Sequence, residues 1–231
     1  MMVHVIFVCK RDAGFIPSFV AAWGRVWGVD CELVFANDAI DPVPVEKLQG
    51  RRSVMCPWPR VGAVADGVVP ALKEVAAMTG AKWIFKGDVD VVHIGRSWFD
   101  SRSGDARMVG WDNEQRGGLY GGCYALQSEV LDELHEGMEW ESRFEDVAMT
   151  KMVKALGHEV DGVSTDPKEL SPFRGAVSLG WDLDAITTHC EAVHTGEGGK
   201  CARGRERSRL WQQAVVDHVA AEYGLPHSSD L

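Results

Sequence analysis

Three apolar runs, "VHVIFVC" (3–9), "CELVFAND" (31–38) and "KWIFKGDVDVV" (82–92), constrain this chain more than any other feature. Each is nearly continuous rather than alternating, the pattern of strands covered on both faces, and such strands belong mostly to parallel sheets. Between the first two, "FIPSFVAAWGRVWG" has apolar residues at helical spacing, with Pro17 tolerated in a first turn. Before the third, "VGAVADGVVPALKEVAAMTG" reads as a helix stopped by Gly80, with Pro70 expected to kink or break it. Strand, helix, strand, helix, strand predicts an α/β fold with a mainly parallel central sheet flanked by helices.

The remaining segments are shorter. "RSVMC", "RMVGWDN", "LYGGCYALQ", "HEVDGVS" and "THCEAVH" read as strands. "SEVLDELHEG", with Ser128 available as its cap, "FEDVAMTKMVKALG", stopped by Gly157, and "SRLWQQAVVDHVAAEYG" read as helices. No repeat, low-complexity tract or linker interrupts residues 1–231. One domain is therefore expected, with a ligand-binding half (1–95), a second half (96–200) and a C-terminal helix (201–231). A chain of 231 residues, 45% hydrophobic, is long enough for one large core.

Its apolar runs are too short to span a bilayer, and the start lacks the basic region and cleavage site of a signal peptide. A cytoplasmic location is the expectation. Six scattered cysteines, none in a CxxC pair, suggest reduced thiols rather than a disulfide framework or zinc knuckle. A net charge of −10 argues against broad nucleic-acid binding, although "KCARGRERSR" (200–209) is locally basic.

Asp is depleted in strand interiors, yet Asp88 and Asp90 lie at the end of the third run. Residues i and i+2 of a strand point to one side, about 7 Å apart, so both carboxylates can face one ligand. In parallel sheets ligands bind beyond the carboxyl ends of the strands. Lys10 and Arg11, Asn37 and Asp38, and Asp88 and Asp90 should converge there. Paired carboxylates suit Mg²⁺ or Mn²⁺ completed by substrate phosphates. An acidic triplet in a surface turn would have the same sequence, so the chemistry depends on what else reaches that end.

At "GAKWIFKGDVDVV" the chain resembles the nucleotide-sugar glycosyltransferases of the glycosyltransferase-A fold, specifically the β-1,3-galactosyltransferase and fringe-like branch with its DxD strand. "GGLYGGCYALQSEVLDEL" resembles that family's glycine-rich acceptor segment. "FEDVAMTKMVKALGH" resembles the helix that supplies the catalytic carboxylate, and "AVHTGEGGK" the late metal-binding histidine. The resemblance runs from Val3 to Lys200.

It implies a Rossmann-like glycosyltransferase-A fold and a Mn²⁺ (or Mg²⁺) ion held by Asp88, Asp90 and His194, Asp88 being shared with the donor ribose. It also implies transfer from a nucleotide-diphosphate sugar, UDP-sugar favoured, to an acceptor hydroxyl. Asp146, beside Glu145, is the candidate general base, and such a base implies inversion at the sugar. Cys9, Arg11, Asp38, Arg60, Lys86 and Lys200 are candidate donor contacts. Trp111, Asp112, Gly121 and Gly122 are candidates on the acceptor side. The acceptor would be a saccharide or another hydroxyl-bearing molecule, with modified DNA disfavoured by the charge. Two other readings stand beside this one. A nucleotidyltransferase acting on sugar phosphates would need a glycine-rich loop after the first strand, which "CKRDAGF" matches poorly. A non-catalytic carbohydrate- or nucleotide-binding module would explain the carboxylates and nine tryptophans without turnover.

Overall fold

The predicted strands form as β1 (Met2–Val8), β2 (Cys31–Asp38), β3 (Arg52–Cys56) and β4 (Trp83–Asp88). The structure, a computed structural model, describes residues 1–56, 67–104, 106–113, 117–135, 144–163, 173–175, 182–184, 190–195 and 202–222. Two helices link the first strands, α1 (Ile16–Trp27) and α2 (Val69–Thr79). Pro70 lies in the first turn of α2, directly after a π-helical turn at 67–68, where its missing N–H is tolerated. Gly80 closes α2 in the left-handed region (φ 63°), as its residue type predicts.

After β5 (Val91–His93) and the short α3 (Ser97–Asp100) come β6 (Met108–Asn113) and β7 (Gly118–Gln127). Helices α4 (Ser128–Glu133) and α5 (Glu145–Ala155) follow, then β8 (Val160–Val163), β9 (Phe173–Gly175), β10 (Ala192–His194) and α6 (Ala202–Glu222). Ser128 is already inside α4. The cap position belongs to Gln127, and no side chain caps the helix.

Seven strands make the main sheet in the order β3-β2-β1-β4-β7-β6-β8. All neighbours are parallel except β7, which runs antiparallel to both β4 and β6. The fold is thus mixed α/β with a mostly parallel central sheet. The strand alternation Val3, Val5, Phe7 against Ile6, Val8 divides the core into two layers. One face packs Val3, Val5 and Ile84 with Leu72, Leu131 and Met149 from the α2, α4 and α5 side. The opposite face packs Ile6, Leu33 and Phe85 with Phe19, Trp23, Trp27, Trp98 and Phe99 from the α1 and α3 side.

A second, three-stranded sheet, β5-β10-β9, has no counterpart in the sequence reading. Val92 of β5 packs with Ala22 of α1 and with Val215, Val216 and Val219 of α6. Among the described residues no helix is long and apolar enough to cross a membrane.

Candidate active site at the carboxyl end of strand β4

Lys86 and Asp88 share a side of β4, and Lys86 lies opposite Tyr124 of β7. The ammonium of Lys86 is 2.8 Å from Asp88 Oδ1 and 3.2 Å from Glu145 Oε2, and it donates to the Gly121 carbonyl at 2.6 Å. An ammonium has three N–H donors, so all of them are engaged. Only 5% of the side chain is exposed. Burial works against its charge, but Asp88 and Glu145 outweigh burial and hold Lys86 above the ordinary lysine range. Lys86 is therefore an internal counter-ion to Asp88 and Glu145 in this structure.

Glu145 opens α5 and accepts a short hydrogen bond from the Tyr124 hydroxyl. Burial raises its carboxyl, and Lys86 and Tyr124 pull part of that shift back. Next to it, Asp146 Oδ2 accepts the Gly121 N–H at 2.9 Å and Oδ1 accepts the Val147 N–H at 2.9 Å. Thr150 adds a second tie, donating its hydroxyl to the Asp146 carbonyl (2.8 Å) while accepting the Leu119 N–H (3.0 Å). The start of α5 is thereby fixed to β7. Gly121 allows this approach, since a Cβ there would lie 3.2 Å from the Asp146 Cβ.

Beyond β4 the chain turns through Val89 and Asp90 into β5. Antiparallel pairing of β5 with β10 sets His194 opposite Val91, so His194 Nε2 lies 3.4 Å from Asp90 Oδ1. The Asp90 carbonyl accepts both the Thr195 N–H and its hydroxyl at 2.8 Å. The Val89 carbonyl accepts Gln212 Nε2 from α6 at 2.7 Å, and Gln212 Oε1 accepts the Ser18 hydroxyl of α1 at 3.1 Å. Burial lowers the His194 imidazole, but the Asp90 carboxylate more than offsets this and raises it to about 9. Asp88 adds to the rise and Lys86 opposes it, so the four residues form one electrostatic unit.

A carboxylate oxygen and an imidazole nitrogen at this spacing suit a divalent ion such as Mn²⁺. Asp88 does not complete the set as drawn. One of its oxygens is held by Lys86, and the donor atoms of Asp88, Asp90 and His194 do not all lie within 4.8 Å of one another.

The other expected contacts divide. Cys9 donates its thiol to Asp12 Oδ2 at 3.1 Å, and that carboxylate also accepts the Cys9 N–H at 3.0 Å, so Cys9 shapes the first loop. Burial raises its thiol. Arg11 is exposed in the same loop. Asp38 is buried and accepts the Ile40 N–H at 2.8 Å, while Asn37 pairs with both backbone groups of Val43. These residues build the β2 exit, and the Lys10 N–H joins it to the β1 exit through the Asp41 carbonyl at 2.8 Å.

On the acceptor side, Trp111 is fully buried against Trp98 (ring centroids 4.3 Å apart), which makes it a core residue unable to stack on a sugar. Asp112 lies against Gly162 of β8, where a Cβ would fall 1.8 Å from its Oδ1. Burial raises its carboxyl, and its charged neighbours are Lys154, Asp161 and Arg102, not the β4 cluster. Gly121 does join that cluster, and Gly122 is buried next to it. Arg60 and Lys200 lie outside the described residues.

Four participants escaped the sequence reading: Tyr124, Thr150, Thr195 and Gln212. Tyr124 had a faint signal, a polar-tipped aromatic on the strand beside the DxD. Gln212 and Thr195 had none, because both act on backbone carbonyls brought to them by tertiary packing.

No protein-family model matches this sequence, and no curated protein matches it. Solved structures do match in fold. An active-site mutant of LgtC aligns with 92% of this chain and 96% of its own at 11% identity, TM-score 0.53. The galactosyltransferase LgtC in complex with donor and acceptor sugar analogs gives the same coverage and identity, TM-score 0.51. A glycosyltransferase involved in glycosylation of the major capsid of PBCV-1 aligns over 93% of this chain and 100% of its own at 10% identity, TM-score 0.56. The chain therefore has a fold found in glycosyltransferases.

Proposed function

We propose that this protein is a metal-dependent glycosyltransferase that moves a hexose from a UDP-sugar to an acceptor hydroxyl. The observation that carries the reading is the meeting of Asp90 with His194 at the end of β4, beside the buried Lys86–Glu145 pair and Asp146. Few reasons other than ligand binding gather so many ionisable groups at the mouth of a parallel sheet. Asp90 and His194 would hold Mn²⁺ or Mg²⁺, with Asp88 reaching it through water or contacting the ribose. The ion, when bound, supplies positive charge to the donor diphosphate and the departing nucleotide.

The chain's own residues do the rest. Lys86 pairs with Asp88 and Glu145 and keeps both carboxylates in place. Gly121 and Thr150 hold Asp146 at the start of α5, where it takes the proton of the acceptor hydroxyl, which implies inversion at the anomeric carbon. The fold shared with glycosyltransferases supports this reading over a nucleotidyltransferase or a binding module.

A panel of UDP- and GDP-sugars incubated with Mn²⁺ is the test. Release of free nucleotide from one donor, lost in Asp90→Ala and His194→Ala and in the presence of chelator, is the expected result. The reading is sunk if no donor is cleaved or raises the melting temperature with Mn²⁺ and Asp90→Ala behaves as wild type. Proton NMR of the product then reads the anomeric configuration and decides the role of Asp146.

A further inference from the structure

Behind the DxD strand, on the opposite face of the sheet, His4 of β1, His93 of β5 and Cys123 of β7 meet in the core. All three are essentially inaccessible to solvent. One donor atom from each lies within 4.8 Å of the other two, and His4 Nε2 is 4.0 Å from Cys123 Sγ. The site opens where it does because of Gly87, whose Cβ would fall 2.6 Å from His4 Nε2. Gly87 is paired with Cys123, so the glycine of "KGDVD" leaves room for this cluster.

The polar atoms here have no adequate partner. Among the described residues, both ring nitrogens of His93 and Nδ1 of His4 are buried without a hydrogen bond. A neutral imidazole has one donor and one acceptor. The aromatic faces around it, Phe19, Trp27 and Phe85, can receive an N–H, but they satisfy no lone pair. Burying such groups unpaired is destabilising, and a chain could have used Leu or Phe instead. Burial also keeps both imidazoles neutral, with His93 lowered to about 3, so each retains the lone pair a metal needs.

We propose that His4, His93 and Cys123 form a structural site for a thiophilic closed-shell ion, Zn²⁺ or Cu⁺. Two nitrogens and a sulfur are the donors such ions prefer. Metal–nitrogen and metal–sulfur bonds of about 2.1 and 2.3 Å require the three atoms to draw in by roughly an ångström or less. Binding replaces the Cys123 S–H proton, which leaves to solvent, with a metal–thiolate bond. One thiolate and two neutral imidazoles carry a single negative charge, so Cu⁺ would leave the pocket neutral and Zn²⁺ would leave one positive charge. The ion would join the main sheet to β5, the strand that begins immediately after Asp90. Because the site is closed, the ion would enter as the chain folds.

The test expresses the protein in medium supplemented with zinc, copper or cobalt, then dialyses it exhaustively against EDTA to clear the exposed Asp90–His194 end. Elemental analysis should find an equimolar amount of zinc or copper, and which of the two identifies the ion. Cobalt-grown protein should show thiolate-to-cobalt charge-transfer absorption in the near ultraviolet. That absorption should vanish in Cys123→Ser and persist in Asp90→Ala, which separates this site from the proposed transferase centre. Wild-type protein that retains none of the three metals, or a cobalt spectrum unchanged by Cys123→Ser, overturns the proposal.

Discussion

His194 Nε2 and Asp90 Oδ1 lie 3.4 Å apart although 104 positions separate them, because three residue pairs between β5 and β10 fix their register. In the metal-free protein this contact is an ion pair, since His194 is raised from 6.5 to about 9. A raised imidazole stabilises the fold fully below pH 6.5, and that contribution disappears as pH climbs to about 9. Melting temperatures in EDTA should therefore fall between those pH values in the wild type and stay flatter in His194→Gln. Equal slopes in the two proteins would exclude the pair. The side chain is 32% exposed, so solvent screening limits the size of the drop.

The same proton makes metal binding pH-dependent with the opposite sign. A divalent ion at Asp90 and His194 must displace the imidazole proton, so Mn²⁺ affinity should rise by up to about tenfold per pH unit until pH nears the imidazole value. Titration calorimetry in two buffers of different ionisation enthalpy would detect one proton released per ion at pH 7. No buffer dependence would show that His194 is not a ligand.

Lys86 carries the largest predicted stability effect. Replacing it with Met leaves the Glu145 and Asp88 carboxylates without their cation and the Gly121 carbonyl without its donor. Breaking a buried pair from one side costs about 3–5 kcal/mol. Urea denaturation should report that loss, and adding Glu145→Gln to Lys86→Met should recover part of it. A Lys86→Met protein as stable as wild type would contradict the counter-ion role.

Gly87 is tested by a single methyl group. In Gly87→Ala the new Cβ would sit 2.6 Å from His4 Nε2 and 2.8 Å from Ile6 Cδ1, contacts that require the β1 side chains to move. Overpacking of this kind costs about 1–3 kcal/mol. The mutation should lower the denaturation midpoint without changing its slope, and an unchanged midpoint would show that His4 and Ile6 do not close over Gly87.

The main sheet was legible because buried parallel strands must be continuously apolar, and "VHVIFVC", "CELVFAND" and "KWIFKGD" have little alternative. Asp88 and Asp90 were legible as candidates because carboxylates at a strand end break the apolar pattern, whereas Glu145, Asp146 and His194 were singled out by the resemblance of their segments to glycosyltransferase motifs. What was not legible is pairing. Lys86 looked like a ligand contact because an isolated lysine at a strand end resembles one. Only the approach of α5 shows that Glu145 and Asp88 already hold it. Trp111 failed for the related reason that a tryptophan gives no sequence sign of facing Trp98 or solvent. Strands β5 and β10 are three residues each, and although "THCEAVH" reads as a strand, nothing in so short a run says which strand it pairs with.

Gln212 shows how far from the chemistry a site residue can be encoded. Its side chain is fully buried between Val89 of the DxD turn and Ser18 of α1, donating to one and accepting from the other. In Gln212→Leu the buried Val89 carbonyl loses its donor, at a cost of about 1–3 kcal/mol, while the Ser18 hydroxyl keeps the Phe15 carbonyl as acceptor. The turn that aims Asp90 would then lose its tie to α6 and keep the one from Thr195. Outer-shell partners of metal ligands typically contribute 10–100-fold to metal affinity or activity, roughly the loss expected here. Mn²⁺ affinity should fall in Gln212→Leu while the fold, read by far-ultraviolet circular dichroism, persists. Gln212→Glu, which keeps the acceptor for Ser18 but loses the donor to Val89, should resemble Gln212→Leu in affinity. An unchanged Mn²⁺ affinity in both variants would show that Gln212 does not position Asp90.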